Sequence, residues 1–260
     1  MRSQYSYRPR IEALEDRAVP ATISVVSGNL FISNPAGALT ITPQGAGAVK
    51  VADGASTVTV SGVGNGIFVT GSTKADTITL DASTAFAGNV TINGGNGNDT
   101  INLKGTIGGN LTVLGGLGDE TVNVTGALDV GGALTVAGGA GSNDFLMTAK
   151  AIIGGSAALS GINELTLNAN KLEVGTNLTV SAPASGSTLN FTSAAGSELL
   201  VGKALSVAGN AGADTVTLAG KIEVGGSASL SLGAGNNALT LTPDAASTFS
   251  GALTYTGGTG

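Results

Sequence analysis

The stretch Asp99-Thr-Ile-Asn-Leu103 shows the pattern that decides the fold of this chain: a small or acidic residue, then Thr or Ala, then an apolar, a polar and an apolar residue. It returns ten times, between 19 and 27 residues apart. The copies begin at Gly37, Ser56, Asp76, Asp99, Glu120, Asn143, Glu164, Ser187, Asp214 and Asn237. A strand-like unit that recurs near every 22 residues indicates stacked coils, each of which buries its apolar side against its neighbours.

One repeat shows how a coil is built. Leu111/Val113, Val122/Val124 and Leu128/Val130 are apolar pairs separated by one polar residue, and Leu134/Val136 open the next repeat. Three short strands per coil follow, because alternate side chains of a strand point to the same face. We predict an all-β, single-stranded parallel β-helix of about ten coils over residues 23–260, with glycine corners such as Gly115-Gly116, Gly131-Gly132 and Gly225-Gly226 where backbone angles are unusual. A β-sandwich also has short strands. However, its strands would not recur at this regular spacing, and it would have a core of large aromatic residues, which this chain lacks.

Composition excludes several classes of protein. The chain has 260 residues, 43 glycines, 11% charged residues and a net charge of −6, with only 11 lysines and arginines. Nucleic-acid binding needs a basic surface, so neither that partner nor attachment to anionic lipid is expected. There is no cysteine for a disulfide or thiolate site. No apolar stretch approaches the 18 residues of a membrane-spanning helix.

The N-terminal segment, residues 1–22, differs from the repeats. Arg10-Ile-Glu-Ala-Leu-Glu-Asp-Arg-Ala-Val-Pro-Ala21 lacks the apolar run of a secretory signal and would form a short amphipathic helix that ends before Pro20. These residues resemble the LEDR-x-VP motif at the N-terminus of exported, repetitive surface proteins of planctomycete-type bacteria. The resemblance implies a targeting segment and an extracellular or cell-surface location.

A glycine-rich motif precedes several copies of the repeated pattern. Gly94-Gly-Asn-Gly-Asn-Asp99-Thr-Ile-Asn102 matches G-G-x-G-x-D-x-U-x and resembles the calcium-binding repeats of the RTX family. The resemblance implies oxygen ligands for Ca²⁺ at Asp99, Asp119, Glu120, Asp144 and Asp214, with those from consecutive coils stacked along one edge. RTX repeats run in tandem, whereas this motif occurs once per coil and is lost in several coils. The alternative is that Gly, Asn and Asp are turn formers without metal. No other cofactor is predicted.

Threonine and asparagine occupy the polar positions of the strand that follows each corner. They include Thr57, Thr59, Thr77, Thr79, Thr100, Asn102, Thr121, Asn123, Thr188, Asn190, Thr215 and Thr217. Regular threonine ladders resemble the surfaces of ice-binding proteins. The irregular spacing and the strong β-propensity of threonine favour an ordinary solvent-facing strand instead.

Catalysis is not expected. The chain has no histidine, cysteine or tryptophan, which removes the imidazole base, the thiolate nucleophile and the indole platform for sugars. We predict a non-catalytic extracellular or cell-surface structural or adhesive solenoid, whose partners are other cells, polysaccharide or copies of itself. A calcium-stabilised repeat module is the first alternative, and a β-helix that binds or degrades polysaccharide is a lesser one.

The last residues restart the pattern. Gly251-Ala-Leu-Thr-Tyr-Thr-Gly-Gly-Thr-Gly260 is similar to Gly88–Gly97, and it stops where the motif would continue. Solenoids need capped ends, and no cap is evident here. The sequence therefore predicts that the repeat domain continues beyond Gly260 in a longer protein.

Overall fold

A computed structural model describes residues 20–167, 171–191 and 198–258 of the chain. These residues form 26 strands and no helix. In chain order the strands are β1 (Thr22–Val26), β2 (Asn29–Ser33), β3 (Ala38–Gly45), β4 (Ala48–Asp53), β5 (Ser56–Val60), β6 (Gly66–Thr70), β7 (Thr77–Phe86), β8 (Asn89–Asn96), β9 (Thr100–Ile107), β10 (Leu111–Leu117), β11 (Thr121–Val130), β12 (Leu134–Ala140), β13 (Asp144–Met147), β14 (Ala151–Ile153), β15 (Ala157–Ser160), β16 (Glu164–Leu167), β17 (Lys171–Val174), β18 (Leu178–Ser181), β19 (Ser187–Phe191), β20 (Glu198–Val201), β21 (Leu205–Ala208), β22 (Asp214–Val224), β23 (Ala228–Ser231), β24 (Ala238–Pro243), β25 (Thr248–Phe249) and β26 (Leu253–Thr256). The predicted targeting segment lies almost wholly outside the described residues.

The strands form two sheets. Sheet A contains eleven strands in the order β1-β2-β6-β8-β10-β12-β15-β18-β21-β23-β26, and sheet B contains the other fifteen. Each coil adds one strand to sheet A and then two stretches to sheet B, as in β12, β13 and β14. Pairing between coils is parallel throughout, for example β10 with β12 and β11 with β13. The prediction of a parallel β-solenoid is therefore confirmed, and the β-sandwich is excluded.

The number of coils is about eight, rather than the predicted ten. Part of the difference arises at the N-terminal end, where the second copy of the pattern, Ser56–Val60, does not begin a coil. It forms β5, which returns antiparallel along β4, and β4 is antiparallel to β3. β1 likewise runs antiparallel to β2. Alternating apolar residues fit an antiparallel strand as well as a parallel one, so the pattern alone overcounts the coils.

The core is a column of aliphatic side chains that the alternation in each strand directs inward. Leu111, Val113, Leu134 and Val136 are all at most 2% exposed, as the repeat pattern predicted. Burying each such side chain stabilises the fold by about 1.5–3 kcal/mol. Each coil contributes several inward residues, so stacking of neighbours supplies most of the stability.

The glycine corners are required for two different reasons. Gly116 has a φ of +120°, a conformation that other residues rarely adopt. Gly131 does not have a positive φ, but a Cβ there would lie 2.5 Å from the carbonyl oxygen of Gly108 in the preceding coil. The prediction that unusual backbone angles require glycine at these corners is therefore wrong for Gly131. Close stacking of coils requires glycine at that corner.

The coil nearest the C-terminus leaves its inward positions open. Leu253 and Tyr255 are 43% and 52% exposed, whereas their partners one coil earlier, Ala228 and Leu230, are at most 1% exposed. Leu241 shows the same contrast with Leu218. The apolar column is thus covered within the stack and uncovered at this end.

Candidate functional site

Polar side chains point into the wall of the solenoid at one corner of each coil. This corner column consists of Asp76, Asp99, Glu120, Asn143, Ser187 and Asp214, each at most 7% exposed. Apart from Asp53, they are the only buried polar or charged residues that the described ranges contain. Each stands just before an outward Thr or, after Asn143, the outward Asp144 in a strand of sheet B, so the alternation of the strand turns them inward.

Side chains of the corner column bond to the backbone of the neighbouring coil. Asp99 Oδ1 accepts a hydrogen bond from the N–H of Asp76 at 2.8 Å. Asn143 Oδ1 accepts one from the N–H of Glu120 at 3.4 Å. Asn237 occupies the same position in the coil after Asp214, and its Oδ1 accepts a hydrogen bond from the N–H of Asp214 at 2.8 Å. The corner N–H of one coil, which the change of strand direction leaves unpaired, is thereby satisfied by the next coil.

Asp214 has a donor for each carboxylate oxygen. The hydroxyl of Ser187 donates to Oδ1 at 2.8 Å, and the N–H of Asn210 donates to Oδ2 at 3.1 Å. Hydrogen bonds to a carboxylate favour its charged form and offset the cost of burial. The Asp214 corner is therefore a well-paired site for a buried charge.

Glu120 lies at the equivalent corner four copies of the pattern earlier and has no such donors. Neither of its carboxylate oxygens has a hydrogen-bond partner, although the side chain is only 1% exposed. Asp76 Oδ1 and Asp99 Oδ2 also lack partners. The ion pairs between described residues, Lys104–Asp81, Lys171–Glu173, Lys221–Glu198 and Lys221–Glu223, all lie in sheet B outside this column. The column therefore holds carboxyl groups that no cationic side chain compensates.

Burial and neighbouring charge shift the titration of these groups. Burial, with the charges of Asp99 and Asp119, raises the pKa of Glu120 to about 7. Burial also raises the pKa of Asp99, and the charge of Asp76 adds to this effect, while the N–H of Asp76 opposes it. These directions follow from the geometry, because an unpaired buried carboxyl group is more stable when it is neutral.

Asn143 places a neutral amide in the corner column, and this amide can donate a hydrogen bond. Its amide nitrogen donates to the carbonyl oxygen of Gly161 in the next coil at 3.1 Å.

At the Asp99 corner, a methyl group added to Gly94 would lie 2.6 Å from Asp99 Oδ2 and 2.5 Å from the carbonyl oxygen of Gly115. A carboxylate oxygen and a carbonyl oxygen thus border the same small volume. Both oxygens are acceptors, so a proton or a cation between them would be favourable.

The sequence-predicted metal ligands are only partly brought together. Asp99 and Glu120 lie in adjacent coils of the corner column, and Asp214 lies in the same column farther along. Asp119 is exposed and belongs to a separate outer ladder, in which its N–H donates to Asn98 Oδ1 at 3.1 Å and its Oδ1 accepts from the N–H of Ser142 at 2.8 Å. Asp144 faces outward in register with Thr121.

This arrangement limits what metal the corner can hold. Over the described residues, no group of three or more acidic side chains is placed to hold one ion. Asp76 belongs to the column but was missed as a candidate ligand, although it occupies the same pattern position as Asp99. The donor chemistry at Asp76, Asp99 and Glu120, carboxylate and carbonyl oxygen, nevertheless suits Ca²⁺. Calcium binding stays a prediction.

Two acidic residues of sheet B line a shallow groove elsewhere on the surface. The groove has a volume of about 380 Å³, and Glu173, Leu200 and Glu223 are among its lining residues. Lys171 lies 3.0 Å from Glu173, and Lys221 lies 2.9 Å from Glu223. Both carboxylates are therefore already paired with lysine.

Comparison with known proteins adds no relative. The chain matches no known family, no curated protein and no solved structure. In the part of the chain that the structure describes, no helix is long and apolar enough to cross a membrane.

Proposed function

We propose that this chain is a non-catalytic structural or adhesive solenoid that acts outside the cell or at its surface. The observation that carries the proposal is the use of the corner column. Its polar side chains bond to the backbone of adjacent coils, as Asp99 does to Asp76 and Asn143 does to Glu120. They therefore join coils instead of forming a solvent-facing set of reactive groups.

Two further features support this role. The coils repeat the same parallel register along sheet A, which favours a rigid body with a long side surface. The N-terminal residues Arg10–Ala21 resemble the motif of exported repetitive surface proteins, which supports the location. Fold alone does not distinguish a structural solenoid from an enzyme, whereas the inward direction of the buried polar side chains favours the structural role.

Surface proteolysis tests the location. The full 260-residue chain with a C-terminal epitope is produced in its native host, beside a matched chain that lacks residues 1–22. We expect protease added to intact cells, or simple washing, to remove the epitope of the full chain but not that of the shortened chain. An epitope that stays protected until the cells are lysed, in both chains, would contradict the proposal.

Calcium stabilisation is the second candidate function, and the unpartnered oxygens of Asp76, Asp99 and Glu120 favour it. A ligand that binds only the folded state raises the melting temperature. Thermal unfolding in EDTA and in ~2 mM Ca²⁺ is compared for the wild type, Asp99→Ala and Asp119→Ala. A shift that Asp99→Ala removes and Asp119→Ala retains supports binding in the corner column. No shift in any chain would reject this candidate.

A further inference from the structure

The outer surface of sheet A carries no charge. All seven lysines and all fourteen acidic residues of the described part of the chain lie in sheet B or in turns, and none lies in the eleven strands of sheet A. The outward positions of sheet B, by contrast, include Lys104, Asp129, Glu164 and Glu223. Since charged residues normally cover exposed surface, one long side without any is unusual.

The same surface is regular along its length. One outward row crosses every strand of sheet A in register: Ser24, Phe31, Phe68, Thr91, Thr112, Thr135, Ala158, Thr179, Ser206, Ser229 and Thr254. The described pairs of sheet A contain no register shift, whereas β11 shifts against β9 between Val124 and Leu128. Beyond Phe68 the row contains only small side chains. We call this surface the neutral face.

An aromatic pair stands at the N-terminal end of the neutral face. The rings of Phe31 and Phe68 are stacked, with centroids 5.2 Å apart and planes 15° from parallel. Phe31 is 41% exposed, and Val26 on the adjoining strand β1 is 57% exposed. Exposed aromatic residues and depletion of charge are both typical of the centre of protein interfaces.

We propose that the neutral face binds the neutral face of a second copy, with the two solenoids side by side and pointing in the same direction. The net charge of −6 opposes association of two copies, and contact through this face keeps the charges of both copies on their outer sides. Because the two solenoids point in the same direction, Val26, Phe31 and Phe68 of one copy face the same three residues of the other copy. This inference rests on the proposed structural role of the solenoid.

The dimensions of the face predict a weak association. Eleven strands spaced about 4.8 Å apart span ~48 Å, and four residues of each strand span ~13 Å, which gives a footprint of ~600 Å² per copy. About 1,200 Å² in total is at the lower end of specific interfaces. We therefore expect monomers near ~1 µM and dimers near ~500 µM.

Sedimentation equilibrium of the full 260-residue chain over this range tests the proposal. Thr135→Lys places a charge at the centre of the neutral face, and Thr166→Lys makes the same change at a half-buried outward position of sheet B. We expect Thr135→Lys to weaken association at least ~10-fold, and Thr166→Lys to leave it nearly unchanged. Phe31→Ser should also weaken it, because both copies lose an apolar contact.

Several results would overturn the proposal. A wild type that stays monomeric at ~500 µM excludes the dimer, and equal loss in both lysine variants excludes this face. A monomer that binds a neutral polysaccharide in a pull-down, and loses that binding in Thr135→Lys, assigns the face to a glycan instead. Protease removal of the epitope from cells is a separate readout, so a monomeric chain that still reaches the cell surface rejects the interface and not the proposed function.

Discussion

The Glu120 and Asp214 corners occupy the same position of the coil but differ in the hydrogen bonds that their carboxylates receive. Asp214 receives one hydrogen bond on each oxygen, from Ser187 and Asn210, whereas Glu120 receives none. Both side chains are at most 1% exposed. The local loop and the neighbouring coil therefore supply donors to the carboxylate at one of these corners and not at the other.

Asp99 is intermediate between these two corners, and its loop explains why. The residue four positions before Asp214, Asn210, donates its N–H to that carboxylate. The corresponding N–H before Asp99 belongs to Gly95, and it donates to Asn93 Oδ1 at 3.1 Å instead. A side chain in the preceding strand therefore takes the donor that Asp99 Oδ2 would otherwise receive.

The largest effect is expected where the pairing is complete. Asp214→Ala would leave the hydroxyl of Ser187 and the N–H of Asn210 without an acceptor in a buried corner. Each orphaned group costs about 1–3 kcal/mol, so we expect the free energy of unfolding to fall by about 2–6 kcal/mol. Urea denaturation measures this change. Asp119→Ala on the exposed outer ladder is the matched control and should lose much less.

Conversion of an amide corner into a carboxylate corner should also be destabilising. Asn143→Asp would replace the donor to Gly161 with an oxygen that faces the carbonyl oxygen across the same distance. We expect a loss of about 1–3 kcal/mol at pH 8, and a smaller loss at pH 4, where the new carboxyl group is protonated. Equal stability of Asn143→Asp and the wild type at pH 8 would show that the amide does not contribute.

The opposite conversion should be stabilising. Glu120→Gln supplies an amide nitrogen that can donate to the carbonyl oxygen of the next coil, as Asn143 does. At pH 8 we expect the free energy of unfolding to rise by about 1–2 kcal/mol, because an unpaired buried carboxylate is removed. Denaturant titration in EDTA measures it without interference from metal. A loss of stability at pH 8 would indicate that Glu120 has a partner.

Much of the fold was predictable from the sequence. The inward positions of the strands, such as Leu111 and Val113, follow from alternation alone, and the parallel stacking follows from the repeat. The antiparallel strands β1, β4 and β5 were not predictable, because an alternating strand carries no signal of its direction. The coil count was therefore too high.

The site was predictable only in part. Alternation assigns Glu120 to the inside and Asp119 to the outside, since Val122 and Val124 point inward; the same parity separates Asn143 from Asp144. This signal was available but the candidate metal ligands mixed both sets. The donors that distinguish Asp214 from Glu120 come from Ser187 and from Asn210, and their directions depend on loop conformation that no residue pattern specifies.

The most direct test of the account is the pH dependence of unfolding of the wild type and Glu120→Gln in EDTA. The pKa of Glu120 is about 7 in the folded chain against an ordinary value of 4.5, so the folded state binds more protons between these values. Stability present below pH 4.5 should therefore be lost as pH rises through 7. The raised pKa of Asp99 acts in the same direction. The account predicts that the wild type is less stable at pH 8 than at pH 5 and that Glu120→Gln removes most of this difference. A wild type that is equally or more stable at pH 8, with no change of slope in Glu120→Gln, would contradict it.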